Sequence, residues 1–307
     1  MTAPTPALAT ALAAGPVVLD GGLSTELEHR GHDVSSALWS ARLLRDDPGA
    51  IRDAHAAFTA AGAQVATTAS YQATLPGLAA VGLDRTAASA LIASSVALAR
   101  EGMEQAGGSG WVAGSVGPYG AFLADGSEYT GDYLEHVSEA ELRAFHRPRL
   151  EVLAGAGVDV LACETLPGAA EVAALLAELV ALDVPAWISL TATTDAEGVA
   201  RTRRSEPLTD VLGMARGVDQ VVAVGVNCTA PSAVGPALAA GATVVYPNSG
   251  EVWDAAARRW TGSAGVGDVG TWLAAGARLV GGCCRVRPAD VAAVAAAVAG
   301  ASGRLPG

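Results

Sequence analysis

The chain has 307 residues, 51% of them hydrophobic and 16% charged, with 37 glycines and a formal net charge of −12. That length and apolar content support a large buried core, as one α/β barrel or two ordinary domains. The acidic balance argues against general binding to nucleic acid or to anionic membranes, which needs a basic face, and no apolar run is long and uninterrupted enough to span a bilayer.

Residues 1–15 are rich in Ala, Thr and Pro, lack a basic leader, and read as a flexible lead-in rather than a signal peptide. A cytoplasmic location follows by default. There the four cysteines stay reduced, which favours metal binding or catalysis over disulfides.

The first predicted strand, 16–20, ends on Asp20-Gly21-Gly22. An insertion over 21–47 follows, carrying Trp39 and a Thr25-x-x-Glu28 pattern that reads as a helix capping box. A helix over 48–61 leads to strand two, 63–68, and on to Tyr71. Alternation puts Thr67, Ala69 and Tyr71 on one face. Helix 86–105 precedes strand three, 111–116. A second insertion, 117–138, then interleaves acids with tyrosines, Tyr129 among them.

Helix 139–156 leads to strand four, 158–164, which closes on Cys163-Glu164. Cys163 reads as a packing residue. Glu164 needs a partner, because an acid ending an apolar run is costly to bury alone. Helix 168–182 and strand five, 186–191, are followed by the run Arg201-Thr202-Arg203-Arg204, read as a solvated charge cluster. Helix 208–216 precedes strand six, 220–227, which ends on Asn227-Cys228. Helix 232–239, strand seven at 242–247, helix 266–275 and strand eight at 277–283 complete the alternation. Strand eight ends in Gly281-Gly282-Cys283-Cys284-Arg285, and helix 288–299 closes the chain.

Eight strand–helix alternations predict a single (β/α)₈ TIM barrel with insertions after strands one and three. Glycines 62, 157, 241 and 276 recur just before strands, where a left-handed residue ends a helix. In such a barrel the C-terminal strand ends share one mouth, so Cys228, Cys283 and Cys284 can meet. Three sulfurs there suit a zinc ion with an open fourth position. They suit equally a set of buried thiols or a vicinal redox pair, and no CxxC spacing decides between them. Asp20 and Glu164 at the same mouth can grip an ammonium group, and the Gly21 and Gly22 amides can face a carboxylate. Together they fit an α-amino acid. The chain contains no lysine, which excludes a Schiff base on a lysine side chain.

From Leu19-Asp20-Gly21-Gly22 to the terminal cysteine pair, these residues resemble the homocysteine S-methyltransferase family, whose homocysteine-binding domain is a zinc (β/α)₈ barrel. The split pattern of Asn227-Cys228 with Cys283-Cys284 is specific to it. The stretches 114–120, 124–133 and 245–251 resemble its S-methylmethionine-using branch. The resemblance implies a homocysteine-binding barrel over 16–303. It implies Zn²⁺ on Cys228, Cys283 and Cys284, with L-homocysteine held by Asp20, Gly21, Gly22, Thr67 and Glu164. Asn227 is expected as a substrate or supporting contact. Trp39, Tyr71 and Tyr129 are expected to face a sulfonium methyl donor, S-methylmethionine or S-adenosylmethionine. A betaine-type donor on the same barrel, or a non-catalytic zinc- or thiol-binding protein, are the competing readings. Oligomeric state leaves no mark in the sequence.

Overall fold

Apolar, β-branched runs form the strands and alanine-rich runs the helices around them. The computed structural model describes residues 5, 7–34, 40–254, 259–261 and 265–302. Eight parallel strands, β1 (Val17–Val18), β2 (Val65–Thr67), β3 (Trp111–Val116), β4 (Val160–Leu166), β5 (Ala186–Leu190), β6 (Val221–Asn227), β7 (Val244–Tyr246) and β8 (Leu279–Val280), fall on the eight predicted runs. They pair in the order β1-β8-β7-β6-β5-β4-β3-β2, and a parallel bridge from Leu19 to Val65 joins the two ends. The architecture is the expected (β/α)₈ barrel.

The predicted helix stops are present. Gly62, Gly157, Gly241 and Gly276 have φ of 103°, 82°, 93° and 107°. After each of them, the next N–H reaches back five residues: Ala63 to Phe58, Val158 to Leu153, Ala242 to Ala237 and Ala277 to Trp272. This is the hydrogen bond that closes a helix on a left-handed residue.

Two apolar layers follow from strand alternation. Outward residues such as Val116, Leu161, Ile188 and Val226 pack beneath the helices, and Cys163 lies in this layer as a packing residue. Burial pushes the Cys163 thiol up to about 12. Inward residues, including Trp111, Ala113, Val160, Ala162, Trp187 and Val244, fill the barrel.

The same interior cluster contains Leu8 and Leu12, from a helix over Leu8–Ala14. This differs from the expected flexible lead-in: two leucines one turn apart are buried against the barrel interior, and their segment is ordered by that contact. The structure also adds two antiparallel hairpins, Ala192–Thr194 with Ala200–Thr202 and Val252–Asp254 with Arg259–Thr261. No described helix is long and apolar enough to cross a membrane.

Candidate active site

The inward face changes character at the C-terminal ends of the strands. Ser115 continues the Trp111–Ala113 row, Glu164 the Val160–Ala162 row, Ser189 follows Trp187, and Tyr246 follows Val244. Glu164 accepts hydrogen bonds from Ser115 Oγ and from the Tyr246 hydroxyl, the latter at 3.0 Å. Tyr246 in turn accepts from Trp187 Nε1 at 3.0 Å. Asp20, just after β1, accepts from the Thr67 N–H at 2.6 Å and from Thr67 Oγ1 at 2.8 Å. Both acids are buried, and burial lifts each carboxyl to about 7. Neither has a cationic partner within salt-bridge distance among the described residues, so each is disposed to take up a cation.

The three cysteines lie across the same mouth. Their sulfurs are within 4.8 Å of one another, and Cys228 Sγ is 3.6 Å from Cys284 Sγ. Tetrahedral zinc with sulfur bonds of about 2.3 Å places its ligands about 3.8 Å apart, so the spacing fits a metal. The backbone is fixed for this purpose. Cys228 sits at φ 48°, its carbonyl accepting from Thr191 Oγ1 at 3.2 Å. The Cys283 N–H donates to Pro247 O at 2.8 Å, and the Cys284 N–H to Asn248 Oδ1 at 3.1 Å. Among three thiols this close, hydrogen bonds from Cys228 and Cys283 hold the Cys284 thiol well below its ordinary range. Hydrogen bonding to Cys228 and Cys284 pushes Cys283 well up.

A cavity of about 120 Å³ joins the acids to the sulfurs, and Tyr71, Thr165 and Tyr129 also line it. The Tyr129 hydroxyl lies 3.1 Å from Cys228 Sγ, and the negative charge of Cys228 raises its pKa.

Several sequence expectations change in detail. Gly21 and Gly22 line the cavity, but the Gly22 N–H donates to Val286 O at 2.9 Å and does not face a ligand. A Cβ on Gly21 would meet Val286 O at 2.6 Å, and one on Gly22 would meet Cys283 O at 2.6 Å. These glycines let the turn after β1 press against the cysteine turn after β8. Thr25 is not a helix cap: the helix Leu23–His29 starts from Gly22, and Thr25 Oγ1 accepts the Arg285 N–H at 3.0 Å. β2 ends at Thr67, so Tyr71 reaches the cavity from a turn rather than by strand alternation.

Asn227 is fully buried and does not line the cavity. Its Oδ1 accepts the Thr165 N–H at 2.7 Å and its Nδ2 donates to Thr165 Oγ1 at 2.7 Å. It thereby clamps Thr165 at φ 60°, an unfavourable conformation for a β-branched residue. This lies at the β4 register shift between Cys163 and Leu166. The expected solvated charge run is in fact partly buried throughout: Thr202 is buried, and Arg201, Arg203 and Arg204 are each half-buried. Trp39 lies outside the described residues. Ser115, Tyr246 and Thr165 were not singled out from sequence. For the first two the signal was present, as polar residues two places beyond an inward apolar one.

The family model for homocysteine S-methyltransferase matches residues 17–298. The chain belongs to the homocysteine S-methyltransferase family. It is 49% identical to the Escherichia coli homocysteine S-methyltransferase, over 91% of this chain and 94% of that protein. It is 40% identical to Bacillus subtilis homocysteine S-methyltransferase YbgG, over 91% and 93% respectively. The metallated crystal form of the E. coli homocysteine methyltransferase MmuM superposes with a TM-score of 0.78 at 45% identity, covering 95% of this chain and 99% of that one. Its apo form gives 0.69 at 39% identity, covering 94% and 98%.

Proposed function

We propose that this protein transfers a methyl group from a sulfonium donor, S-methylmethionine in preference to S-adenosylmethionine, to L-homocysteine, with zinc on Cys228, Cys283 and Cys284. One observation carries the reading: one small cavity is lined by two buried acids and by three clustered sulfurs. A ligand filling it bears a cation at one end and a metal-seeking atom at the other, as the ammonium and thiol of homocysteine do.

Zinc on three thiolates supplies a Lewis acid that keeps a fourth thiol deprotonated near neutral pH. The chain's own residues do the rest. Asp20 and Glu164 take the homocysteine ammonium. Thr67 orients Asp20, and Ser115 and Tyr246 orient Glu164. Tyr71 and Tyr129 shield the reacting atoms and offer ring faces to a sulfonium cation. The homocysteine sulfur attacks the donor methyl carbon in line. The new S–CH₃ bond forms as the old one breaks, its electron pair stays on the donor sulfur, and the thiol proton passes to solvent. The leaving group is a neutral thioether, so no general acid is needed. The protein contributes alignment and exclusion of water. With S-methylmethionine, both products are methionine.

The test is an assay of the zinc-loaded protein with homocysteine and, in parallel, S-methylmethionine, S-adenosylmethionine and betaine. Methionine should form fastest with S-methylmethionine. A betaine preference would replace the donor assignment, and no methionine with any donor would leave a metal- or thiol-binding protein.

A further inference from the structure

Three arginines leave the Ala192–Thr194/Ala200–Thr202 hairpin in close succession, with different partners. Arg201 pairs with Asp195 at 2.8 Å. Arg204 pairs with Asp132 at 2.8 Å and also with Glu135. Arg203 has no carboxylate within 4.0 Å among the described residues. Its Nε and Nη2 both donate to Thr191 Oγ1, at 3.1 and 3.0 Å, and its backbone N–H donates to Pro167 O at 3.0 Å. Thr191 is the residue that holds the Cys228 carbonyl. The guanidinium is therefore fixed beside the cysteine cluster. Its pKa responds to the same neighbours: burial lowers it, and the charges of Cys228 and Tyr129 raise it.

A partly desolvated guanidinium without a carboxylate is unusual, because its fork of five donors matches an anion bidentately. Two of the five N–H groups go to Thr191, which leaves three. Homocysteine is proposed to span the cavity from Asp20 and Glu164 to the sulfurs. An in-line donor must then approach from the far side of the homocysteine sulfur, and the remainder of the donor extends beyond the cluster. Arg203 does not line the cavity itself; its guanidinium lies outside that lining, joined through Thr191 to the Cys228 carbonyl and close enough to Cys228 and Tyr129 to feel their charge.

We propose that Arg203 binds the carboxylate of the methyl donor and so selects sulfonium compounds that carry one. This rests on the sulfonium reading above. Tyr129 and Tyr71 present ring faces to the sulfonium, while Arg203 fixes the opposite charge of the same molecule. The donor is thereby held at two points with its methyl group aimed at the acceptor.

The test compares S-methylmethionine with its primary amide, which keeps the sulfonium and the ammonium but lacks the carboxylate. Wild-type protein should favour the acid by about 10²-fold in kcat/KM, in line with loss of a charge-assisted bidentate contact. Arg203→Gln should lose about that factor for the acid, mainly through KM, and change by less than about threefold for the amide. Homocysteine KM and bound-metal content should stay at wild-type values, and Arg203→Lys should restore part of the preference. Calorimetric binding of the two compounds to the wild-type protein with homocysteine present gives the same comparison without turnover or a variant. Equal use and equal binding of acid and amide by the wild type overturn the inference. So does an Arg203→Gln variant that slows both donors alike or loses metal, since Arg203 then serves only to hold Thr191 and Cys228. If the wild type makes methionine from neither sulfonium compound but does so from betaine, the donor reading itself fails and takes this inference with it.

Discussion

Asp20 and Glu164 are buried together, each lifted to about 7 chiefly by loss of water. A carboxyl whose folded pKa exceeds its unfolded value stabilises the fold fully below the unfolded value, near pH 4. That contribution is lost as pH rises through about 7. Each group can therefore cost on the order of 3 kcal/mol above neutrality. The free protein should melt at a lower temperature at pH 8 than at pH 5, and Asp20→Asn with Glu164→Gln should flatten that slope. Homocysteine affinity runs the opposite way, because the ammonium needs ionised partners: binding weakens as pH falls through 7. At fixed pH 8, Glu164→Gln should raise homocysteine KM by about 10²-fold with little change in metal content. An unchanged KM would remove Glu164 from the ammonium site. Asp20, Glu164 and the three cysteines were legible in the sequence as candidates because each stands at the end of an apolar run, where a barrel's strand ends meet. Asn227 was legible as a residue but not as a role. Its partner is Thr165, 62 positions earlier, and only the barrel brings them together.

The elements were legible wherever both faces of a strand are buried, since parallel barrel strands then read as continuous apolar runs. The helix Leu8–Ala14 was not legible. It has seven residues, too few to show a period, and Leu8 and Leu12 acquire meaning only when the barrel interior is there to receive them. The hairpin after β5 was missed for a similar reason: its strands have three residues each, and its arginines look like surface charge until one is found beside Cys228. Leu8 is almost wholly buried, so Leu8→Ala should cost about 2–4 kcal/mol through lost transfer energy and an unfilled cavity. Chemical denaturation would show the loss. KM values for both substrates should be unchanged, because Leu8 does not line the cavity. A rise in homocysteine KM without loss of stability would instead tie this helix to the site.

On the scale of the whole molecule, the cysteines draw together two distant parts of the barrel. Cys228 and Cys284 are 56 positions apart, and they follow β6 and β8, which flank β7 in the sheet. A metal shared between them binds the folded chain and not the unfolded one, so it adds RT ln(1 + [M]/Kd) to stability, about 4 kcal/mol at a thousandfold excess over Kd. In a chain of 307 residues each kcal/mol moves the melting temperature by about 1.5 °C. Chelation should therefore lower the melting temperature by roughly 6 °C and abolish methionine formation, and added zinc should restore both. Cys284→Ser should melt near the chelated wild type and respond little to further chelator, because the site has lost one of its three sulfurs. The paired readouts matter because three crowded thiols can fail in two ways. If chelator stops turnover while the melting temperature stays fixed, the metal activates substrate without bracing the barrel. If the melting temperature falls and turnover persists, the metal is structural and the methyl transfer proceeds from a free thiol. Only loss of both, reversed by zinc and absent in Cys284→Ser, fits one ion doing both tasks at the junction of β6 and β8.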